Sequence, residues 1–149
     1  MINHIWIDAD SCPKMIRDYV VKYSNKLNIK VTFVANKKIS CNINLPYEMI
    51  ICNQEKDAAD NYILQNAKKN DLVITRDIVF ADKLIEKDIY TINDRGTIFD
   101  KNNIKEMLSE RDFDFQLAQM GLVKHYNEGY NKEKFSKFAN CFDKIIHQK

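Results

Sequence analysis

The run Leu72-Val73-Ile74-Thr75-Arg76-Asp77 decides the fold. Four apolar or β-branched residues in succession read as a strand buried on both faces, the kind found in parallel sheets covered by helices. Asn70-Asp71 ahead of it makes a turn, Arg76-Asp77 stops it, and Val79 to Glu86 reads as a short helix. The same order, a strand, an acidic stop and then a helix, recurs through the first hundred residues.

Upstream, Ile2 to Ile7 is an apolar run ending in Asp8-Ala9-Asp10-Ser11. Cys12-Pro13 opens a helix, for which Asp10 or Ser11 would serve as N-cap. Met15, Ile16, Tyr19, Val20, Tyr23 and Leu27 follow at helical spacing. Val31 to Ala35 is a second strand stopping at Asn36, and Glu48 to Cys52 is a third. A helix starts at Asp57 and reaches about Lys69. Downstream, Ile89 to Ile92 is a fifth strand ending at Asn93-Asp94-Arg95-Gly96. The last third reads as helices over Asn102 to Arg111, Phe113 to Met120 and Lys132 to His147, the last with Phe135, Phe138, Phe142 and Ile145 in one stripe. The expectation is one α/β domain with three layers. Residues 1 to about 100 form its core around a central, mostly parallel five-stranded sheet, and residues 101–149 add a helical segment.

Composition agrees with a globular chain and excludes other classes. Of 149 residues, 45% are hydrophobic and 30% charged, with only three Gly and two Pro, too few for the many tight turns of an all-β fold. No stretch is apolar for long enough to cross a bilayer, so no membrane is expected as a partner. The start of the chain has no basic segment ahead of an apolar one and reads as a strand, which points to the cytoplasm. Cys12, Cys41, Cys52 and Cys141 form no close pair, and in a reducing compartment they are expected as free thiols. A net charge of +2 neither demands nor opposes a nucleic-acid partner.

In parallel α/β sheets ligands bind outside the carboxyl ends of the strands. Asp8, Asp10, Asn36, Asp77 and Asp94 each follow a strand, so one edge of the sheet collects them. Crowded carboxylates repel one another and are relieved by a hard divalent cation, Mg²⁺ or Mn²⁺, which takes oxygen ligands and keeps several waters. Asp57 and Asp60 lie three apart at a helix start and share its face. Capping competes with function at each position. It accounts well for Asp57, evenly for Asp10, less well for Asp60, and least for Asp8 and Asp77. Arg76 would bind a phosphate or pair with Asp77, and Arg95 suits a phosphate by its bidentate fork. Asp94 reads equally as a turn residue, and Asp82 as a solvent-facing charge. Cys12 at a helix start would be activated by that position, but the neighbouring carboxylates oppose ionisation of its thiol. Neither His4, in the first strand, nor His125 and His147, in the tail, lies near it in sequence.

The ordered segments Ile5-Trp6-Ile7-Asp8-Ala9-Asp10-Ser11-Cys12-Pro13, Val34-Ala35-Asn36, Asp57-Ala58-Ala59-Asp60, Asp71 to Asp77 and Asn93-Asp94-Arg95-Gly96 resemble the YaiI/YqxD family of uncharacterised bacterial proteins. The likeness runs on through Asn103-Ile104, Arg111-Asp112-Phe113 and Gly121 into the Phe-rich last helix. That family is in turn similar to PIN and NYN nuclease-like domains. The resemblance implies a PIN-like fold with Asp8, Asp60 and Asp77 as its catalytic acidic set and Asp10 as a further metal ligand.

Three functions follow as expectations. The first is a metal-dependent nuclease acting on RNA or another phosphodiester, with Asn36, Arg76 and Arg95 on substrate, and Lys37-Lys38 and Lys68-Lys69 as further backbone contacts. The second is a haloacid-dehalogenase-type phosphatase, because Asp8-x-Asp10 with Asp77 and Asp82 mimics that layout. Cys12 stands where Thr or Val is expected there, and the Pro-started helix leaves no room for cap elements. The third is a non-catalytic module that binds a cation or a basic partner. A homodimer is also expected, without an identified interface.

Overall fold

The structure, a computed structural model, describes residues 2–39, 43–55, 57–122 and 129–147. Cys41 and His125 lie outside the described residues. Strand β1 (His4–Asp8) leads through a 3-10 turn (Ala9–Ser11) into α1 (Lys14–Lys26) and then β2 (Lys30–Ala35). Next come β3 (Glu48–Ile51), α2 (Ala58–Asn66), β4 (Leu72–Ile74), α3 (Ile78–Glu86) and β5 (Tyr90–Ile92). The short β6 (Ile98–Phe99), α4 (Ile104–Gln119) and α5 (Lys132–Ile146) complete the chain.

The sheet has six strands in the order β3-β2-β1-β4-β5-β6. All neighbours are parallel except β5 and β6, which are antiparallel. The expected five strands therefore become six. The added one is two residues long, too short for any alternation to show, and it forms because the Asp94-Arg95-Gly96 turn folds the chain back on β5. The helices expected over 102–111 and 113–120 are one continuous α4, since nothing between Arg111 and Phe113 breaks a helix. The second helix stops at Asn66 instead of Lys69, with Ala67 already extended.

Alternation along the strands explains the layers. Ile5, Ile7, Val31, Phe33 and Ile74 turn to one face, where they pack against Ile16 and Val20 of α1 and Phe138 and Phe142 of α5. Trp6, Val34 and Val73 turn to the other, beneath Ile63 of α2 and Phe80 and Leu84 of α3. Phe138 and Phe142 are fully buried, and burial of such a side chain contributes about 2–3 kcal/mol. The apolar stripe of the last helix thus covers the sheet beside α1. Gly96 permits this. Its φ is +83°, and a Cβ there would stand 2.5 Å from the Lys137 carbonyl oxygen, so α5 lies directly on the β5–β6 turn.

Helix starts differ from expectation in an instructive way. Pro13 occupies the N-cap of α1, and neither Asp10 nor Ser11 caps it, because the 3-10 turn lies between them and the helix. Asp57 sits at the N-cap of α2 in a left-handed conformation, φ 63°, and makes no cap hydrogen bond. Asp77, which capping was expected to explain least, does cap. It accepts from the Phe80 N–H at 3.2 Å. Among the described residues no helix is long and apolar enough to cross a membrane.

Candidate functional site

From β1 the chain passes to β2 on one side, and β4 pairs on the other, so the winding direction reverses between β1 and β4. Doubly wound sheets open a crevice at such a switch point, outside the carboxyl ends of the strands. Asp8 ends β1 at this point, and Thr75 and Asp77 follow β4. The Thr75 hydroxyl donates to Asp8 Oδ2 at 2.9 Å, and the Asp77 N–H donates to Thr75 Oγ1 at 3.1 Å. Sixty-odd residues of sequence separate these groups, yet a single threonine joins them.

Burial pushes the Asp8 carboxyl up to about 6, the Thr75 hydrogen bond opposes the rise, and the Asp10 and Asp77 charges add to it. Asp60, in the first turn of α2, is pushed to about 7 by burial and then by Asp8, Asp77 and Asp57, with Lys83 of α3 pulling the other way. Asp8, Asp60 and Asp77 therefore share one electrostatic neighbourhood, supplied by β1, α2 and the β4–α3 junction. Asp10 stands apart. Its side chain is exposed and accepts from the Asn36 N–H at 2.8 Å, tying the end of β1 to the end of β2. Asn36 also receives Gln54 Nε2 on its carbonyl, while its own Oδ1 is buried without a hydrogen-bond partner.

Arg76 pairs with Asp94, not with Asp77. Its Nε donates to Asp94 Oδ2 at 2.6 Å. Asp94 is 1% exposed, and its second oxygen, Oδ1, has no hydrogen-bond partner. The Tyr130 hydroxyl donates to the Asp94 carbonyl at 2.7 Å, so the segment before α5 clasps the same turn. Asp8, Ser11, Cys12, Thr75, Arg76 and Asp94 close on one another and leave no room for a water molecule between them. Asp94 is the residue that the sequence undervalued. Its position after a strand was visible, but only Arg76 from the neighbouring strand end and the α5 side of the domain bury it.

Other expected groups fall elsewhere. Arg95 is exposed in the turn, as are Lys37 and Lys38 beyond β2. Lys68 and Lys69 precede β4 and line a groove with Asn3 and His4 at the amino edge of the sheet, opposite the aspartates, because the loop before a parallel strand always enters there. Asp82 is ion-paired to Lys105 of α4 at 3.0 Å instead of facing solvent alone. Burial, then Asp94, push the Cys12 thiol up, which opposes formation of the thiolate a nucleophile would need.

Does this set fit a metal ion? Among the described residues no three His, Cys, Asp or Glu side chains form a ready cage. Asp8 is raised by burial, Asp10 and Asp77, and Asp60 by burial, Asp8, Asp77 and Asp57. A hydrated cation held by only one or two carboxylates, the usual manner of Mg²⁺, is the form of binding such a set would allow.

The fold and site together define a doubly wound α/β domain with buried and half-buried aspartates gathered at its switch point. The chain belongs to the YaiI/YqxD family, described as uncharacterised bacterial proteins, whose model matches residues 6–148. It is 40% identical to a UPF0178 protein of Treponema denticola over 95% of this chain and 90% of that one. It is 37% identical to a UPF0178 protein of Marinomonas sp., covering 97% of each, and 34% identical to one of Pseudomonas putida over 95% of each. No solved structure matches.

Proposed function

We propose that the acidic edge at the carboxyl ends of β1 and β4 hydrolyses phosphodiesters, with RNA as the substrate class and a PIN-like arrangement of Asp8, Asp60 and Asp77 as its working acids. The observation that supports this reading is the convergence of three carboxylates from distant chain segments, two of which hold protons at about pH 6 and 7. Carboxyls held near neutrality by burial and by neighbouring carboxylates mark a place where negative charge is crowded, which a bound divalent cation would relieve while keeping both groups ionised. Half-buried Asp60 is the better placed of the two for access to solvent and substrate. Asp8, deeper and fixed by Thr75, orients; Asp77 adds charge while capping α3. Asp8 and Asp60 would hold Mg²⁺ or Mn²⁺, which supplies charge neutralisation at the phosphate and a more acidic water. Lys83, whose charge acts on Asp60, is exposed and available to a phosphate backbone, and Arg95, Lys37 and Lys38 are exposed cations beyond the carboxyl ends of β5 and β2.

Two other readings draw less support. For a phosphatase of the haloacid-dehalogenase type, the nucleophile Asp8 is 9% exposed, and Asp82 is engaged by Lys105. A non-catalytic cation or partner site uses the same carboxylates and is separated only by turnover.

The test is incubation with single-stranded RNA, single-stranded DNA and a phosphomonoester, with Mn²⁺ or chelator, beside Asp8→Asn, Asp60→Asn and Asp77→Asn. Metal-dependent polymer cleavage lost in all three variants supports the proposal. Monoester hydrolysis alone transfers it to the phosphatase, and no turnover with any substrate transfers it to the binding module.

A further inference from the structure

The helices on the two faces of the sheet carry opposite charge. On one face α1 has four cations against one carboxylate and α5 four against two, a joint excess of +5. On the other, α2, α3 and the α4 that packs on α3 have three cations against seven carboxylates, a joint −4. The chain's overall +2 conceals this division. Lys14, Lys22 and Lys26 stand exposed along α1 at steps of eight and four residues, a row about 18 Å long at 1.5 Å per residue. Lys132, Lys137 and Lys144 are exposed on the neighbouring α5. Among the described residues none of Lys14, Lys22, Lys26, Lys132 and Lys144 is in an ion pair, and Lys137 has only an exposed contact to Glu133 at 3.6 Å. On the acidic face, by contrast, Lys105 and Arg111 are each engaged by a carboxylate.

This basic face leads to the aspartates. Helix α1 follows β1 through the turn that holds Asp10, and α5 meets the β5–β6 turn where Lys137 lies on Gly96. Both helices therefore begin at the carboxyl edge of the sheet. They run on together, with Tyr19 against Phe135 and Phe138, then Tyr23 against Phe142.

We propose that the α1–α5 face is a track for a single nucleic-acid strand, which it delivers to the acidic edge. The link to that edge rests on the phosphodiester reading above; the track itself rests on the charge. Unpaired lysines in a row suit a polyanion, because each phosphate they neutralise releases condensed counterions. The partly exposed rings of Tyr19, Tyr23 and Phe135 between the helices offer contact to unstacked bases, which favours a single strand over a duplex. A membrane surface fits less well. Among the described residues Met15 is the one large apolar side chain exposed on either helix, so the face lacks the apolar side with which a helix enters lipid.

The experiment is fluorescence anisotropy of a short labelled single-stranded RNA, in chelator so that no cleavage intervenes, across a series of salt concentrations. Lys14→Gln combined with Lys22→Gln and Lys26→Gln should weaken binding by on the order of tenfold or more. The slope of log affinity against log salt should fall by about 2, at roughly 0.7 per lost phosphate contact. Lys87→Gln with Lys101→Gln and Lys105→Gln removes the same charge away from this face and should leave affinity and slope nearly unchanged. All six side chains are exposed, and a circular-dichroism melt checks that each variant folds. Cleavage of a small chromogenic phosphodiester by the wild type with Mn²⁺ reports separately on the aspartates. RNA binding without that turnover supports the track and removes the hydrolase reading. Turnover without RNA binding, an equal loss in both lysine sets, or anionic lipid vesicles bound in preference to RNA would overturn the track.

Discussion

Replacing Asp8 by Asn should stabilise the cation-free protein at pH 8 and do almost nothing at pH 4. Asp8 is 9% exposed, and its proton affinity moves from 3.8 to about 6 on folding, chiefly through burial. The folded state therefore holds the proton more tightly than the unfolded chain. That preference contributes stability below pH 4 and is lost as the pH rises through about 6. A shift of roughly two units corresponds to about 3 kcal/mol at 1.36 kcal/mol per unit. Asn has the shape of the neutral acid, and its carbonyl can still accept from Thr75, so it should avoid most of that penalty. The expected gain is about 2–3 kcal/mol at pH 8, or roughly 5–10 °C in melting temperature for a domain of this size. Urea unfolding followed by circular dichroism, in chelator at pH 4.5, 6 and 8, measures it. Added Mg²⁺ or Mn²⁺ should stabilise the wild type and narrow the gap. An Asn variant that is less stable at pH 8, or a difference that is the same at every pH, would refute the account of Asp8 as a buried, repelled charge.

Other outcomes follow from neighbouring residues. Removing a like charge should ease the proton off Asp60, so Asp57→Asn should shift the Asp60 titration below about 7; carboxyl-carbon NMR against pH reads this directly. Arg76→Ala leaves Asp94 buried without its ion partner, and a loss of about 2–3 kcal/mol is expected in chemical denaturation, less than for a fully buried pair because Arg76 is 44% exposed. Gly96→Ala forces a left-handed alanine against the Lys137 carbonyl, which should destabilise by more than about 1 kcal/mol and loosen α5 in hydrogen exchange. The Cys12 thiol should resist a disulfide reagent at pH 8 until the protein unfolds, and Cys12→Ala should retain whatever turnover the wild type has.

By itself the sequence determined the alternation of strand and helix and the edge on which the aspartates gather. Both are local facts: a four-residue apolar run such as Leu72 to Thr75 excludes water from both faces, and parallel connections return every strand end to the same side. It also marked the Phe138–Phe142 stripe as a packing face, since period alone shows that. Strand order is not written in any period. Only the tertiary structure brought β1 beside β4, and with that adjacency Thr75 to Asp8 and Asp60 into the field of both Asp8 and Asp77. Only it turned Asp94 from a turn residue into a buried partner of Arg76, removed Lys68 and Lys69 to the opposite edge, and made Asp77 rather than Asp10 the cap. Each of those outcomes depends on groups far apart along the chain, and a carboxylate's proton affinity is set by what surrounds it in space.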